Sequence, residues 1–180
     1  MKEVKQKQNL ETNKQPSNIE AEQALIGSIL VNNDILDEVS IIVGSTMFYD
    51  PAHIKIYEVI ENLNNKGMIA NPITLKNYFE KDNMLQDVGG TEYLVKLTRF
   101  SSSTKQAVDY AKIIHEMYLR RELILISDKL SSDSTNANDQ DQNAENIIES
   151  TEKSLFDLAE RGTFSQSFLK FNKALDQTIE

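Results

Sequence analysis

The 180-residue sequence contains no cysteine and no tryptophan, and only three prolines and six glycines. Without cysteine, neither a disulfide nor a thiolate metal site can form. No stretch approaches the roughly 18 consecutive apolar residues that a membrane-spanning helix requires. The first residues, MKEVKQKQNLETNKQ, lack the apolar core of a secretory signal. We therefore expect a cytoplasmic protein that makes no contact with a membrane.

Positive charge is also scarce, because 28 acidic residues stand against 19 basic ones, for a net charge of -9. Proteins that bind nucleic acids neutralise phosphates with clustered Lys and Arg. Here the one basic cluster of note is the short N-terminal run. The charge balance argues against direct binding of nucleic acid and favours a basic protein as partner.

Catalytic and cofactor-binding patterns are missing. The sequence has neither a G-x-x-x-x-G-K-[ST] phosphate loop nor a G-x-G-x-x-G motif. The Gly89-Gly90 pair is followed by Thr-Glu-Tyr, which offers a phosphate neither a lysine nor a long run of amides. His53 and His115 stand alone, without partners at metal-ligand spacing, so we interpret both as ordinary packed or surface histidines. We expect no catalytic, cofactor-binding or metal-binding residue in this segment.

The pattern of apolar residues predicts an all-α fold, because no alternating strand pattern of any length occurs. Residues 1–15 are polar and predicted to be disordered, residues 16–103 form a small helical head, and 104–162 form a long helical hairpin. In the head, we expect Ser17 and Glu20 to form a capping box and Asp50 to cap the helix that starts at Pro51. A second head helix should run through Ile35, Leu36, Val39 and Ile42 and end at Gly44. Gly27, in mid-helix, predicts close approach of another helix.

The hairpin consists of two apolar-striped arms around the polar tip SSDSTNANDQDQN. At the usual helical rise the arms would be about 40 Å and 27 Å long. Their apolar residues exceed what one seam can bury, so we expect a second copy to cover the excess, with purely internal packing as the alternative. The predicted hairpin interface consists of Ala111, Ile114, Tyr118, Leu125, Ile147, Leu155 and Leu158.

After Gly162 and a short serine-containing link, residues 163–180 predict a truncated linker helix. One face of that helix is apolar and forms a second predicted interface of Phe168, Phe171, Leu175 and Ile179. This uncovered face at the end of the sequence indicates a fragment of a longer protein.

An ordered set of short motifs opens with PSNIEAEQALIGSIL at residues 16–30. The motifs that follow are Phe48-Tyr49 with His53, Ile56-Tyr57, Asn71-Pro72-Ile73 with Thr74-Leu75, Gly89-Gly90 with Tyr93-Leu94, and Tyr110-Ala111 with Ile113-Ile114. This set resembles the N-terminal domain of the DnaB family of bacterial replicative DNA helicases, and PSNIEAEQALIGSIL matches the opening of that domain. The resemblance covers about residues 16–126 and weakly extends to the end.

This resemblance implies an oligomerising and primase-recruiting domain that acts in DNA replication and primosome assembly. Hairpins would pair between subunits, and three such dimers would form a collar on a six-membered ring. Primase is the expected partner, a helicase loader is a candidate partner, and the linker helix would dock on a neighbouring subunit. ATP and magnesium are implied only for the motor domain, which this sequence lacks. The alternatives are a free-standing regulator or adaptor of a helicase and, against the charge, a nucleic-acid-binding module.

Overall fold

The computed structural model describes residues 15–81, 86–87, 89–135 and 143–176, with side chains described only as far as residue 161 and not at residue 81. All of the regular structure in these ranges is helical, which confirms the predicted all-α class. The helices are α1 (Ile19–Val31), α2 (Ile35–Val39), a 3-10 turn (Ser45–Met47), α3 (Pro51–Asn65), α4 (Pro72–Lys81), α5 (Gly90–Thr98), α6 (Thr104–Thr135) and α7 (Ala144–Asp176).

Helix α1 is the centre of the head and packs against α2, α3, α5 and α6. Its N-cap is Asn18, whose side-chain oxygen accepts a hydrogen bond of 2.9 Å from the amide of Ala21. The predicted cap at Ser17 was therefore wrong by one residue, because Asn caps a helix at least as well as Ser. Gly27 confirms the predicted close approach, since a Cβ atom there would collide with the carbonyl oxygen of Leu97 at the end of α5.

The segment before α3 begins that helix as the sequence predicts. Asp50 caps α3 by accepting from the amide of Ala52 at 2.8 Å, and Pro51 occupies the first helical position, as predicted. Phe48 is buried against Tyr57, with ring centroids 4.8 Å apart.

Helix α2 ends at Val39, earlier than predicted, and Ile42 lies in a turn that still buries its side chain. Apolar burial can therefore continue past the end of a helix.

The first helix of the hairpin, α6, begins inside the head. The first turns of α6 are buried against the head through Ala107, Ala111 and Ile114. Farther along, α6 leaves the head and packs against α7. The polar tip, apart from its ends, lies outside the described residues.

Helix α7 continues without a break through Gly162 to Asp176, so the short link predicted there is not present. A single glycine inside a helix costs only about 1 kcal/mol relative to alanine, which the flanking helical residues can tolerate. The side chains of Phe168, Phe171 and Leu175 lie outside the described residues, as does Ile179. Their role as an interface therefore stays a prediction.

Candidate interaction surfaces of the head and hairpin

Two residues of the predicted hairpin interface lie inside the head. Ala111 and Ile114 are buried in the main hydrophobic core, so no partner can reach them. The prediction failed for these two residues because it read the apolar stripe of α6 as one seam. The first turns of that stripe pack on the head of the same chain.

Tyr118 and Leu125 continue this stripe on the side of α6 that faces the head. Tyr118 is half-buried and Leu125 is exposed. Together with Phe48 and Arg121, they line a small cleft of about 150 Å³ where the hairpin leaves the head. The structure therefore brings these two predicted residues together, although on the head side of the hairpin.

On α7, two other predicted residues face α6. Leu158 is buried and Ile147 is half-buried. Thr151, which lies between them on the same side of the helix, lines a small cavity with Ile126 and Leu130 of α6. We conclude that Ile147 and Leu158 hold the two arms of the hairpin together.

The hairpin nevertheless presents an apolar surface on its side away from the head, which we name the hairpin face. Its four side chains are between 38% and 58% exposed. Nine residues separate Ile114 from Leu123, about two and a half turns, so Leu123 points away from the head. The hairpin face consists of Leu123, Leu130, Ile148 and Leu155.

The two pairs of the hairpin face share one spacing. Leu123 and Leu130 are seven residues apart on α6, as are Ile148 and Leu155 on α7. Leu130 lies at the level of Ser150 to Ser154, between the two α7 members of the face. Apolar residues repeating every seven positions are typical of helices that pack at a shallow angle against other helices. Leu155 is thus the predicted interface residue that lies on the hairpin face, whereas the exposed Leu125 lies on the head side of α6.

The head contains a buried polar network that the sequence did not reveal. His53 and Glu22 are both buried, and His53 Nδ1 lies 2.6 Å from Glu22 Oε2. The other ring nitrogen of His53 lies 2.6 Å from the hydroxyl of Tyr93. The packed-histidine interpretation of His53 is therefore confirmed, but its partners were missed. They come from α1 and α5, far away in sequence, and no spacing rule connects them.

This network holds helices together. Glu22 also accepts hydrogen bonds from the backbone amides of Tyr49, at 2.7 Å, and Asp50, at 3.3 Å. Burial, together with the nearby carboxylates of Asp50 and Glu22, raises the pKa of the Tyr93 hydroxyl, and a hydrogen bond with Gln23 opposes that rise. Because the imidazole of His53 is fully buried, a substrate cannot reach it. The arrangement joins α1, α3 and α5.

Arg121 fixes the head on the hairpin. Its guanidinium donates to the carbonyl oxygens of Pro16, at 2.8 Å, and Met47, at 2.6 Å. It also lies over the ring of Tyr49, 5.6 Å from the centroid, in a cation–π contact. One side chain of α6 thus binds both the segment before α1 and the 3-10 turn.

His115, the second predicted histidine, is half-buried on α6. Its Nε2 atom is buried and has no hydrogen-bond partner among the described residues. Desolvation by burial lowers the pKa of His115, and the nearby Glu116 partly opposes this effect.

No group of three or more His, Asp or Glu residues in the described ranges is arranged to hold a metal ion. None of the helices in those ranges is long and apolar enough to cross a membrane.

A small helical head that carries a long helical hairpin defines an all-α domain of two parts. The comparisons with known proteins place this fold in a family. Residues 14–116 match the family described as the DnaB-like helicase N terminal domain, and the chain belongs to that family.

Among curated relatives, the replicative DNA helicase DnaB of Rickettsia felis is 38% identical over 164 residues, which cover 91% of this chain and 33% of that protein. The replicative DNA helicase DnaC of Bacillus subtilis is 28% identical over 165 residues, covering 92% of this chain and 36% of that protein. The chain thus spans about a third of the length of the curated relatives that it matches.

Two solved structures share the fold. The crystal structure of the N-terminal domain of DnaB helicase from Mycobacterium tuberculosis superposes with a TM-score of 0.71 at 24% identity, covering 80% of this chain and 99% of that one. A DnaB-like replicative helicase, whose structure was described with its interactions with primase, superposes with a TM-score of 0.63 at 22% identity. That match covers 78% of this chain and 31% of the other.

Proposed function

We propose that this chain is the assembly and partner-recruiting domain of a replicative DNA helicase that acts in DNA replication. Membership of the DnaB-like family supports the helicase context. The observation that carries the assembly role is the hairpin face, four large apolar side chains that the described parts of the chain leave uncovered. Exposed apolar patches of this kind are typical of protein–protein contacts.

In this proposal two hairpins pair through their hairpin faces, and three such pairs form the collar of a six-membered ring. A two-fold axis would bring the same patch of both subunits together, as in most homodimers. Pairing of two hairpins would create four packed helices with apolar residues at heptad spacing, an arrangement that buries all four side chains of each face. Ala111 and Ile114, in the N-terminal half of α6, take no part, because the head of the same chain already covers them.

Partner recruitment and coupling to the motor belong to the same proposal. Primase is the proposed partner, and the solved structure of similar fold that was described with its interactions with primase supports this choice. A helicase loader is a second candidate partner. Residues 163–180 would contact a neighbouring subunit through Phe168, Phe171, Leu175 and Ile179. ATP hydrolysis and magnesium binding would belong to a motor domain outside these residues.

The first experiment is the solution mass of the 180-residue chain, measured by light scattering over a range of concentrations. We expect a mass of twice or six times that of the monomer, with dissociation on dilution. A strict monomer at high concentration would contradict pairing of the hairpins in this segment.

A further inference from the structure

The small cleft where the hairpin leaves the head is also the place where the chain enters the described structure. Gln15, the first described residue, lines this cleft of about 150 Å³. Arg121, in the same cleft, donates to the carbonyl oxygen of Pro16 and so fixes the neighbouring backbone. We name this site the joint cleft, because head and hairpin residues line it together. Its other lining residues are Thr46, Phe48, Tyr118, Glu122, Ile124 and Leu125.

The hairpin wall of the joint cleft carries apolar side chains that the described parts of the chain leave uncovered. Leu125 is 56% exposed and Ile124 is 39% exposed. The head covers Ala111 and Ile114 at the start of α6 but does not extend over these two residues. Exposed apolar side chains beside a concave site indicate that another segment binds there.

The joint cleft also contains an acidic group that has no partner among the described residues. Glu122 is half-buried, and its carboxylate takes part in no hydrogen bond or ion pair within those ranges. Two carboxylates earlier on α6 are paired, Asp109 with Lys112 and Glu116 with Arg120. Because a half-buried charge is less screened by salt than an exposed one, a cation in the joint cleft would pair favourably with Glu122.

Residues 1–14, which lie outside the described residues, have the composition that this cleft requires. They hold four lysines against two glutamates, whereas the chain as a whole is acidic. Lys14 directly precedes Gln15, so its ammonium group can reach a site that Gln15 lines. Leu10 is five residues before Gln15, which corresponds to at most about 18 Å of extended chain. Leu10 is therefore within reach of Leu125.

The covalent connection through Gln15 decides between this segment and a separate molecule. A segment tethered at the edge of its binding site has an effective concentration on the order of millimolar. The same segment of a second copy has identical side chains but lacks this advantage. The occupant that the joint cleft favours is thus the N-terminal segment of its own chain.

We propose that residues 10–14 bind in the joint cleft of their own chain, with Leu10 on Leu125 and Ile124 and with Lys14 paired with Glu122. The sequence predicts disorder for residues 1–15, and the proposal exempts the part from Leu10 onwards. An occupant that contacts head and hairpin together acts as a strap that holds the two parts in one orientation. This inference requires neither primase nor pairing of the hairpin faces.

The test is disulfide trapping in the full 180-residue chain, which has no cysteine of its own. One variant combines Leu10→Cys with Leu125→Cys, and mild oxidation links the two only when their Cα atoms come within about 7 Å. Cysteine packs as a small apolar side chain, so both substitutions keep part of the contact. We expect an intramolecular disulfide, detected as a monomer of higher mobility in non-reducing gel electrophoresis.

The matched control combines Leu10→Cys with Ile73→Cys. Ile73 lies on α4, is 72% exposed and does not line the joint cleft. We expect the Leu125 pair to form about tenfold faster than this control, because both pairs share the tether and only one shares the cleft. Equal rates for the two pairs would overturn the proposal. A disulfide-linked dimer that is absent from the single Leu125→Cys variant would place the segment of a second copy in the cleft, and would also overturn it.

The ion pair is tested in the same trapping variant. Lys14→Glu should slow formation of the disulfide about threefold, the effect of a partly screened pair, and adding Glu122→Lys should restore the rate. Lys5→Glu makes the same change of charge outside residues 10–14 and should leave the rate unchanged. If Lys14→Glu has no more effect than Lys5→Glu, Lys14 does not pair with Glu122 and that part of the proposal is wrong.

Discussion

Ile114 and Leu123 lie on opposite sides of α6. Ile114 is buried in the core of the head, and Leu123, nine residues later, is exposed on the side of the hairpin away from the head. A single helix therefore uses one side to join its own head and the other side to present an apolar surface. This relationship separates the residues that stabilise the fold from those proposed to mediate assembly.

The first prediction concerns assembly through the hairpin face. Leu123→Asp and Leu155→Asp should each weaken self-association at least tenfold, because a charge buried in an apolar seam loses its hydration without gaining a partner. Leu125→Asp, on the head side of α6, should change association much less. Sedimentation velocity over a concentration series measures all three. Equal effects of Leu125→Asp and Leu123→Asp would show that the seam runs along the head side instead.

The second prediction concerns Ile114. Replacement by Asp should lower the free energy of unfolding by more than about 4 kcal/mol, since it places an unpaired charge in the core. Urea denaturation followed by circular dichroism, at concentrations where the chain is monomeric, measures this loss. If the Ile114→Asp variant is folded and stable but associates less well, Ile114 belongs to the interface between chains, as the sequence predicted.

Only part of this division was predictable from the sequence. The seven-residue and four-residue spacings on α6 reveal apolar stripes, but periodicity does not say which element covers a stripe. The cap at Asp50 was predictable because cap and helix are neighbours in sequence. The Glu22–His53–Tyr93 network was not, because its members come from three helices and nothing local marks them as partners. The one local sign of this network in the sequence is Glu22, an acidic residue among the apolar residues of α1.

The third prediction concerns the contact of α1 with α5. Gly27→Ala should destabilise the chain by about 1–3 kcal/mol, because the added methyl group would collide with the backbone carbonyl of Leu97. Gly44→Ala is the matched control, since no atom lies within 4 Å of a Cβ at Gly44 and its φ of -113° suits any residue. Its free energy of unfolding should change by no more than about 0.5 kcal/mol. If both variants have the same free energy of unfolding, α1 and α5 can move apart without loss of stability.

The fourth prediction concerns Arg121. Arg121→Ala should lower the free energy of unfolding by about 2–4 kcal/mol, because the carbonyl oxygens of Pro16 and Met47 both lose a charged donor. Its neighbour provides the control: Arg120 forms an exposed pair with Glu116, so Arg120→Ala should cost no more than about 0.5 kcal/mol. Amide hydrogen exchange at the 3-10 turn should also be faster in Arg121→Ala, but not in Arg120→Ala. Unchanged exchange in Arg121→Ala would mean that Arg121 does not hold the turn on α6.

The fifth prediction concerns pH. The pKa of His115 is lowered in the folded chain, so below the ordinary value of 6.5 the unfolded chain binds a proton more readily than the folded chain. The stability contributed by neutral His115 is therefore present at neutral pH and lost as the pH falls below 6.5. His115→Gln should flatten the stability profile between about pH 7 and pH 5. A variant whose profile parallels that of the unmodified chain would mean that other groups cause the dependence.

The unbroken course of α7 has a mechanical consequence. Because the backbone remains helical through Gly162, the turns beyond Leu158 form a stiff arm about 27 Å long attached to the hairpin. If the hairpin tilts by about 10°, the end of such an arm moves by about 5 Å, a displacement comparable to one helical turn. A small rearrangement between paired hairpins would thus be amplified into a large movement at Asp176, with no hinge in between to absorb it.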